Sequence, residues 1–168
     1  MKVLIAILFL IVSQSHNEVV PKELSVLDKN KIVREVNKLR AKGCYCGGKK
    51  IKPVGPIVWN ETLQKSAMAH AQEMSKFNFF THYSRDGLDI GQRLTRIGYP
   101  WKVVGENIAE GQKNFSQVMK DWIRSETHCK MLMDKRVNEM AVARYNNYWV
   151  QHFGKQQRKP AHWQGKKH

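Results

Sequence analysis

Phe79-Phe80-Thr81-His82-Tyr83-Ser84-Arg85-Asp86-Gly87 and, further along, Gly105-Glu106-Asn107-Ile108-Ala109-Glu110-Gly111 are the stretches around which the rest of the chain arranges itself. The first sets His82 between an aromatic pair and an Asp86-Gly87 turn. The second sets Glu106 beside Asn107, between glycines at 105 and 111 that are expected to permit tight turns. Upstream lies Ala67-Met68-Ala69-His70-Ala71, and downstream lie Trp122-Ile123-Arg124-Ser125-Glu126-Thr127-His128 and Tyr148-Trp149-Val150-Gln151-His152-Phe153-Gly154. Titratable side chains on separate segments are what a cleft is normally assembled from.

Local patterns supply the supporting elements. Leu63, Ala67, His70, Met74 and Phe77 recur at 4-3-4-3 spacing, which predicts a helix over 61–76 with Asn60 as N-cap and Glu61 in its first turn. His70 falls on the apolar stripe and reads as a core histidine rather than a ligand. Ile32, Val33, Val36 and Leu39 predict a first helix over 28–41, capped by Asp28 or Asn30 and ended by Gly43. Residues 43–56 read as a long basic loop and 57–59 as a short strand. Further helices fit 89–97, closed by Gly98, and 115–125, with Val118, Met119, Trp122 and Ile123 inward. Alternation over 140–145, Asn146-Asn147 and the run 148–153 predict a β-hairpin.

With 168 residues, the chain has room for one domain, and its 42% hydrophobic share, with five Trp, five Tyr and six Phe, excludes a disordered polyelectrolyte. Lys2, the apolar run 3–12 and Ser13-Gln14-Ser15 read as a secretory leader over 1–15. Ten helical residues rise only about 15 Å, too little to span a bilayer. A lead-in over 16–27 follows, then the domain 28–154 and a basic tail over 155–168. The expectation is an exported, soluble, monomeric protein in a secreted, extracellular or periplasmic setting that permits disulfides. The formal charge is +15, yet the acid-free stretches 36–60 and 155–168 hold most of the excess, so it reads as peripheral. Peripheral contact with an anionic surface fits this pattern, whereas specific nucleic-acid recognition does not, because the basic stretches lack interleaved aromatics.

The five segments, in this order and spacing, resemble the CAP superfamily (cysteine-rich secretory proteins, antigen 5 and pathogenesis-related proteins) and its bacterial SCP-like subgroup over about 30–154. The resemblance implies an α+β fold, an α-β-α sandwich with a central antiparallel sheet between helices. It also implies a cleft carrying His82, Glu106 and His128, with Asn107 and Ser125 beside them. Ser125 stands where many members carry a second acid, and Glu126, its neighbour, would point elsewhere on a helix. Relatives with a Cys-Gly pair in the first loop imply a Cys46–Cys129 bridge that leaves Cys44 free. From the residues alone a Cys44–Cys46 bridge or a cysteine–histidine zinc site also arises, the first strained by its short ring and the second short of a fourth ligand.

Two imidazoles and a carboxylate from His82, Glu106 and His128 can hold Zn²⁺ with one position open, although no tight local spacing such as His-Glu-x-x-His supports it. The plainer reading is a hydrogen-bonded cluster that grips a ligand and requires no cofactor. No catalytic residue is assigned. The histidines suit acid–base work, but Ser84 and Ser125 lack a nucleophile elbow. The leading function is therefore binding of a lipid, glycan or protein ligand through the cleft. A metal-dependent hydrolase and an anionic-surface or lipid binder are the alternatives.

Overall fold

The computed structural model describes residues 26–157. The expected leader over 1–15, the lead-in as far as residue 25 and the tail beyond Gln157 lie outside that range. The elements are α1 (Val26–Lys42), β1 (Cys44–Cys46), β2 (Lys49–Ile51), β3 (Val58–Trp59), α2 (Glu61–Phe77), α3 (Ile90–Arg96), β4 (Trp101–Glu110), α4 (Phe115–Arg124), α5 (Glu126–Leu132), β5 (Glu139–Tyr145) and β6 (Tyr148–Gln156). A four-stranded sheet of order β3-β5-β6-β4 stands at the centre. It is antiparallel except at β3, which runs parallel to β5.

The sheet is buried on both faces because its strands alternate between two sets of apolar partners. Met140 and Val142 of β5 and Trp149 and Phe153 of β6 join Ile32, Val36, Val118, Met119, Trp122 and Leu132 from α1, α4 and α5. Ala143 and Val150 face the other way, onto Ala67, Ala71 and Met74 of α2. Ala141 meets Leu63 of α2 and Leu94 of α3. Alanine on both sides of this second contact lets α2 lie close to the sheet. The expected three-layer sandwich results.

Helix α2 starts where the sequence places it, with the Asn60 side chain accepting from the backbone N–H groups of Thr62 and Leu63. Helix α1 begins earlier than expected, so Asp28 and Asn30 lie within it rather than capping it. It ends at Gly43, whose φ is +75° and whose Cβ, if present, would sit 2.6 Å from the Ile51 carbonyl oxygen. The stretch expected to be an open loop instead contains the β1–β2 hairpin, turned by Gly47 and Gly48, both at positive φ. A two-residue Gly-Gly connection is a hairpin signal that the surrounding lysines, glycines and prolines mask. Gly105, expected in a turn, lies inside β4, where a side chain would strike Met131 of α5. Gly111, at φ +95°, does turn the chain at the end of β4.

The basic excess is not all peripheral. Arg40 is 1% exposed and spends its guanidinium on the carbonyls of Gly55, Leu132, Asp134 and Val137, at 2.8 to 3.3 Å. It thereby joins α1 to the segment between α5 and β5. Asn37, one turn earlier, donates to the Ile57 carbonyl at 2.9 Å and accepts from the Ile57 N–H at 2.8 Å. The Cys46–Cys129 bridge ties the hairpin to α5 across a sequence separation of 83, with Cα atoms 5.5 Å apart.

Two stability effects follow. In the chain-entropy account a bridge of this span contributes about 4 kcal/mol, so Cys129→Ala should lower the unfolding free energy by about 2–4 kcal/mol in non-reducing urea titrations. Replacing Arg40 by Lys keeps the charge but cannot supply a planar fork to four carbonyls. It should cost about 2 kcal/mol or more in the same titration; an unchanged midpoint would show that the fork contributes nothing.

Candidate functional site

The site is built outward from Glu106. β4 and β6 pair in register, with Glu106 opposite His152, and strand alternation turns both side chains to the α2–α3 face. The Glu106 side chain is 3% exposed. Its Oε1 accepts from Nδ1 of His82 at 2.8 Å. Its Oε2 accepts from a terminal nitrogen of Arg93 at 2.5 Å and from Nε2 of His152 at 2.8 Å. Burial alone would raise the carboxyl pKa, but the hydrogen bonds from His152 and His82 and the Arg93 charge outweigh it and hold the group well below the usual carboxylate range. Glu106 is therefore a permanent buried anion with three donors drawn from three separate segments.

Arg93 also fixes the loop that carries His82. One of its terminal nitrogens donates to the His82 carbonyl at 2.8 Å and to the Leu88 carbonyl at 3.1 Å. His70, 1% exposed, donates from Nε2 to the Thr81 carbonyl at 3.0 Å, so the core histidine is an anchor for the same loop. Burial lowers its pKa. The loop closes on itself where the Gly87 N–H donates to the Ser84 carbonyl at 2.8 Å, with Gly87 at φ +79°.

With Nδ1 engaged by Glu106, His82 keeps its Nε2 for the groove. Its side chain is 54% exposed, whereas its carboxylate partner is not. His128 projects from α5, half-buried, its pKa lowered by burial and by the charge of His82. Both histidines line one groove of about 570 Å³ with Phe80, Ile108, Trp122 and Ser125. Glu110, Gln112 and Asp121 line it as well, and among the described residues no lysine or arginine does.

The structure divides the expected residues into two roles. His82, His128 and Ser125 reach the groove. Glu106 stands behind His82, and Asn107 lies on the opposite face of β4, buried, donating to the His128 carbonyl at 3.4 Å and to the Gln151 side chain at 3.2 Å. Asn107 thus holds α5, and through it His128, against the sheet. Glu126 turns away to Lys130 and lies against Gly47. Sequence reasoning missed His152 and Arg93. A lone histidine within an otherwise apolar strand was a signal for the first, but the register opposite Glu106 is a tertiary fact. Arg93 sits on a short helix read only for its apolar side.

The donor atoms of His82, Glu106 and His128 do not all lie within 4.8 Å of one another. Among the described residues, the one group of three His, Cys, Asp or Glu side chains whose donor atoms all lie within 4.8 Å of one another is Cys44, Cys46 and Cys129, and two of those are joined as the disulfide. The Glu106 oxygens are taken up by His82, Arg93 and His152.

The shifts set a pH dependence with a definite sign. His70 and His128 have lowered folded pKa values, so the unfolded chain binds more protons and stability falls as pH drops through about 6.5. Glu106, also lowered, stabilises the fold fully above the unfolded carboxylate range, and that contribution is lost as pH falls below about 4.5. Urea titrations should therefore show a two-stage decline, and NMR should place His128 below a free histidine. Glu106→Gln should shrink the lower stage, which Asp134 shares, and cost about 3 kcal/mol or more, because it leaves Arg93 buried without its anion.

Comparison with known proteins agrees with this architecture. Residues 33–153 match the Cysteine-rich secretory protein family, CAP. The YkwD protein of Bacillus subtilis (strain 168) is 32% identical over 135 residues, covering 79% of this chain and 49% of that protein; the chain thus spans about half the length of this relative. An extracellular protein containing an SCP domain from Bacillus anthracis superposes with a TM-score of 0.63 at 21% identity, over 77% of this chain and 42% of that one. An outer surface protein of Borrelia burgdorferi gives 0.67 at 20% identity, over 79% and 95%. These two likenesses are of fold. The match over residues 33–153 takes in four of the five segments, all but the last residue of the fifth, and both cysteines of the disulfide, and the chain belongs to the cysteine-rich secretory protein (CAP) family.

Proposed function

We propose that this is an exported CAP-domain protein that binds a ligand through the His82–His128 groove, with binding rather than turnover as its task. The observation that carries the reading is how the hydroxyls and imidazoles are spent. Ser84 donates to Asp86 at 2.6 Å and Ser125 pairs with Thr127 at 3.2 Å, so neither serine is activated by a histidine. His82 is oriented by a buried carboxylate and presents its Nε2 to whatever enters. That is a recognition device, and it lacks the nucleophile that acyl transfer needs.

The lining narrows the ligand class. Although the formal charge is +15, the described residues that line this groove include apolar side chains, two imidazoles, Glu110 and Asp121, with no lysine or arginine among them. Such a surface suits a neutral or cationic molecule with hydroxyl or amino donors and an apolar face, as in a glycan or a peptide, and disfavours an anion. Export is supported by the leader-like residues 1–15, by the disulfide, and by the extracellular and outer-surface descriptions of proteins sharing the fold. Among the described residues no helix is long and apolar enough to cross a membrane.

A second reading rests on a different face. Lys42, Lys49, Lys50 and Lys52 are all exposed on and beside the β1–β2 hairpin, a cluster suited to an anionic surface. The two readings separate in one experiment. Binding of neutral and amino-sugar oligosaccharides and of basic peptides should fall tenfold or more in His82→Ala/His128→Ala and stay unchanged in Lys49→Ala/Lys50→Ala. Binding to anionic vesicles should show the reverse pattern and weaken with salt. Zn²⁺-dependent hydrolysis that disappears with the histidine pair would replace the binding reading by a hydrolase.

A further inference from the structure

Away from the groove the fold gathers three sulfur atoms. Cys46 on β1 is bonded to Cys129 on α5, and both residues are fully buried. Cys44, on the same strand, is unpaired and half-buried. Its Sγ lies 3.5 Å from Sγ of Cys129 and 3.7 Å from Sγ of Cys46. Residues two apart on a strand project from one face, which is why both thiols of β1 meet the same helix. Leu39, Ile51, Val54 and Met133 pack around the cluster.

We infer that Cys44, Cys46 and Cys129 form a thiol–disulfide exchange centre in which Cys44 trades places with Cys46 on Cys129. Cys44 gives its proton to solvent and its thiolate attacks Sγ of Cys129. The Cys44–Cys129 bond forms as the Cys46–Cys129 bond breaks, and Cys46 leaves as a thiolate that takes up a proton. One thiol and one disulfide enter and leave the step, so no oxidant or reductant is consumed. Attack on Cys129 preserves the tie between hairpin and α5, whereas attack on Cys46 would close a small ring within β1 and release the helix.

Two features shape the rate. The nearly equal distances from Cys44 to the two bridge sulfurs place its thiol beside the bond rather than in line with it, so exchange requires the Cys44 side chain to rotate or the hairpin to open. The hairpin pairs through only three residues per strand, which makes local opening cheap relative to global unfolding. Burial raises the Cys44 pKa, so the thiolate fraction grows with pH through and beyond neutrality. Cys129 follows His128 directly in α5, so exchange re-anchors the segment that carries one groove histidine.

The test uses the unreduced wild-type protein. It is treated with N-ethylmaleimide at a low concentration between pH 7 and pH 9, quenched in acid, digested with pepsin, and sequenced by tandem mass spectrometry to distinguish Cys44 from Cys46. Exchange predicts label on Cys46 as well as Cys44, appearing about tenfold faster per pH unit while Cys44 remains mostly protonated. Cys44→Ala, which cannot start the exchange, should stay unlabelled. Oxidised Cys46→Ala should contain a Cys44–Cys129 bridge and no free thiol. Label confined to Cys44 at every pH overturns the proposal without any variant having to fold, and two free thiols in folded Cys46→Ala overturn it independently.

Discussion

A carboxylate buried beneath the sheet surface and clamped from three directions is the constraint from which the site derives. An isolated buried anion would be intolerable, and Glu106 is retained because Arg93, His82 and His152 each bring a donor to it. Those donors come from α3, from the loop after α2 and from β6. The anion therefore does more than orient His82: it requires two parts of the α2–α3 layer and one strand of the sheet to be in place together. Arg93 reinforces this by holding the His82 and Leu88 carbonyls with the same guanidinium. The two-residue description of a histidine and its acid understates a five-residue network that includes His70.

The opposite layer is built by a different rule. There Gly105 lets Met131 approach the backbone of β4, and Asn107 reaches across to the His128 carbonyl. One face of β4 is thus polar and charged, the other small and neutral, in consecutive residues of a single segment. This is why Glu106 and Asn107, adjacent in the chain, serve the two histidines from opposite sides of the sheet. The groove opens between these layers, and the rigidity of each wall has a separate chemical origin.

Much of the scaffold was legible because it depends on local rules. Asn60 as a cap, the apolar stripe of α2, and the Asn146-Asn147 turn are short-range facts, and the ordered segments carry the family resemblance. Strand β4 was not read as a strand, because its glycine and alternating polar residues resemble a turn until β6 supplies a partner. Helix α5 was hidden by its brevity and by a largely polar, cysteine-containing sequence. In the site, His82 and His128 were legible as groove residues. The placing of Glu106 behind His82, and the existence of Arg93 and His152 as its other partners, depend on register and packing over separations that no local pattern encodes. Arg40 was misjudged for the same reason: a cation in an acid-free stretch looks solvated until the carbonyls that receive it are brought near.

The Asn37 side chain has an effect beyond local hydrogen bonding. Its amide donates to and accepts from the backbone of Ile57, the residue just before the two-residue strand β3. In doing so it imitates one residue of a neighbouring strand at the margin of the sheet. A margin that is both very short and already occupied by a side chain gives no template for an incoming strand of another molecule. The same helix that fills one layer of the core therefore discourages edge-to-edge aggregation on this side.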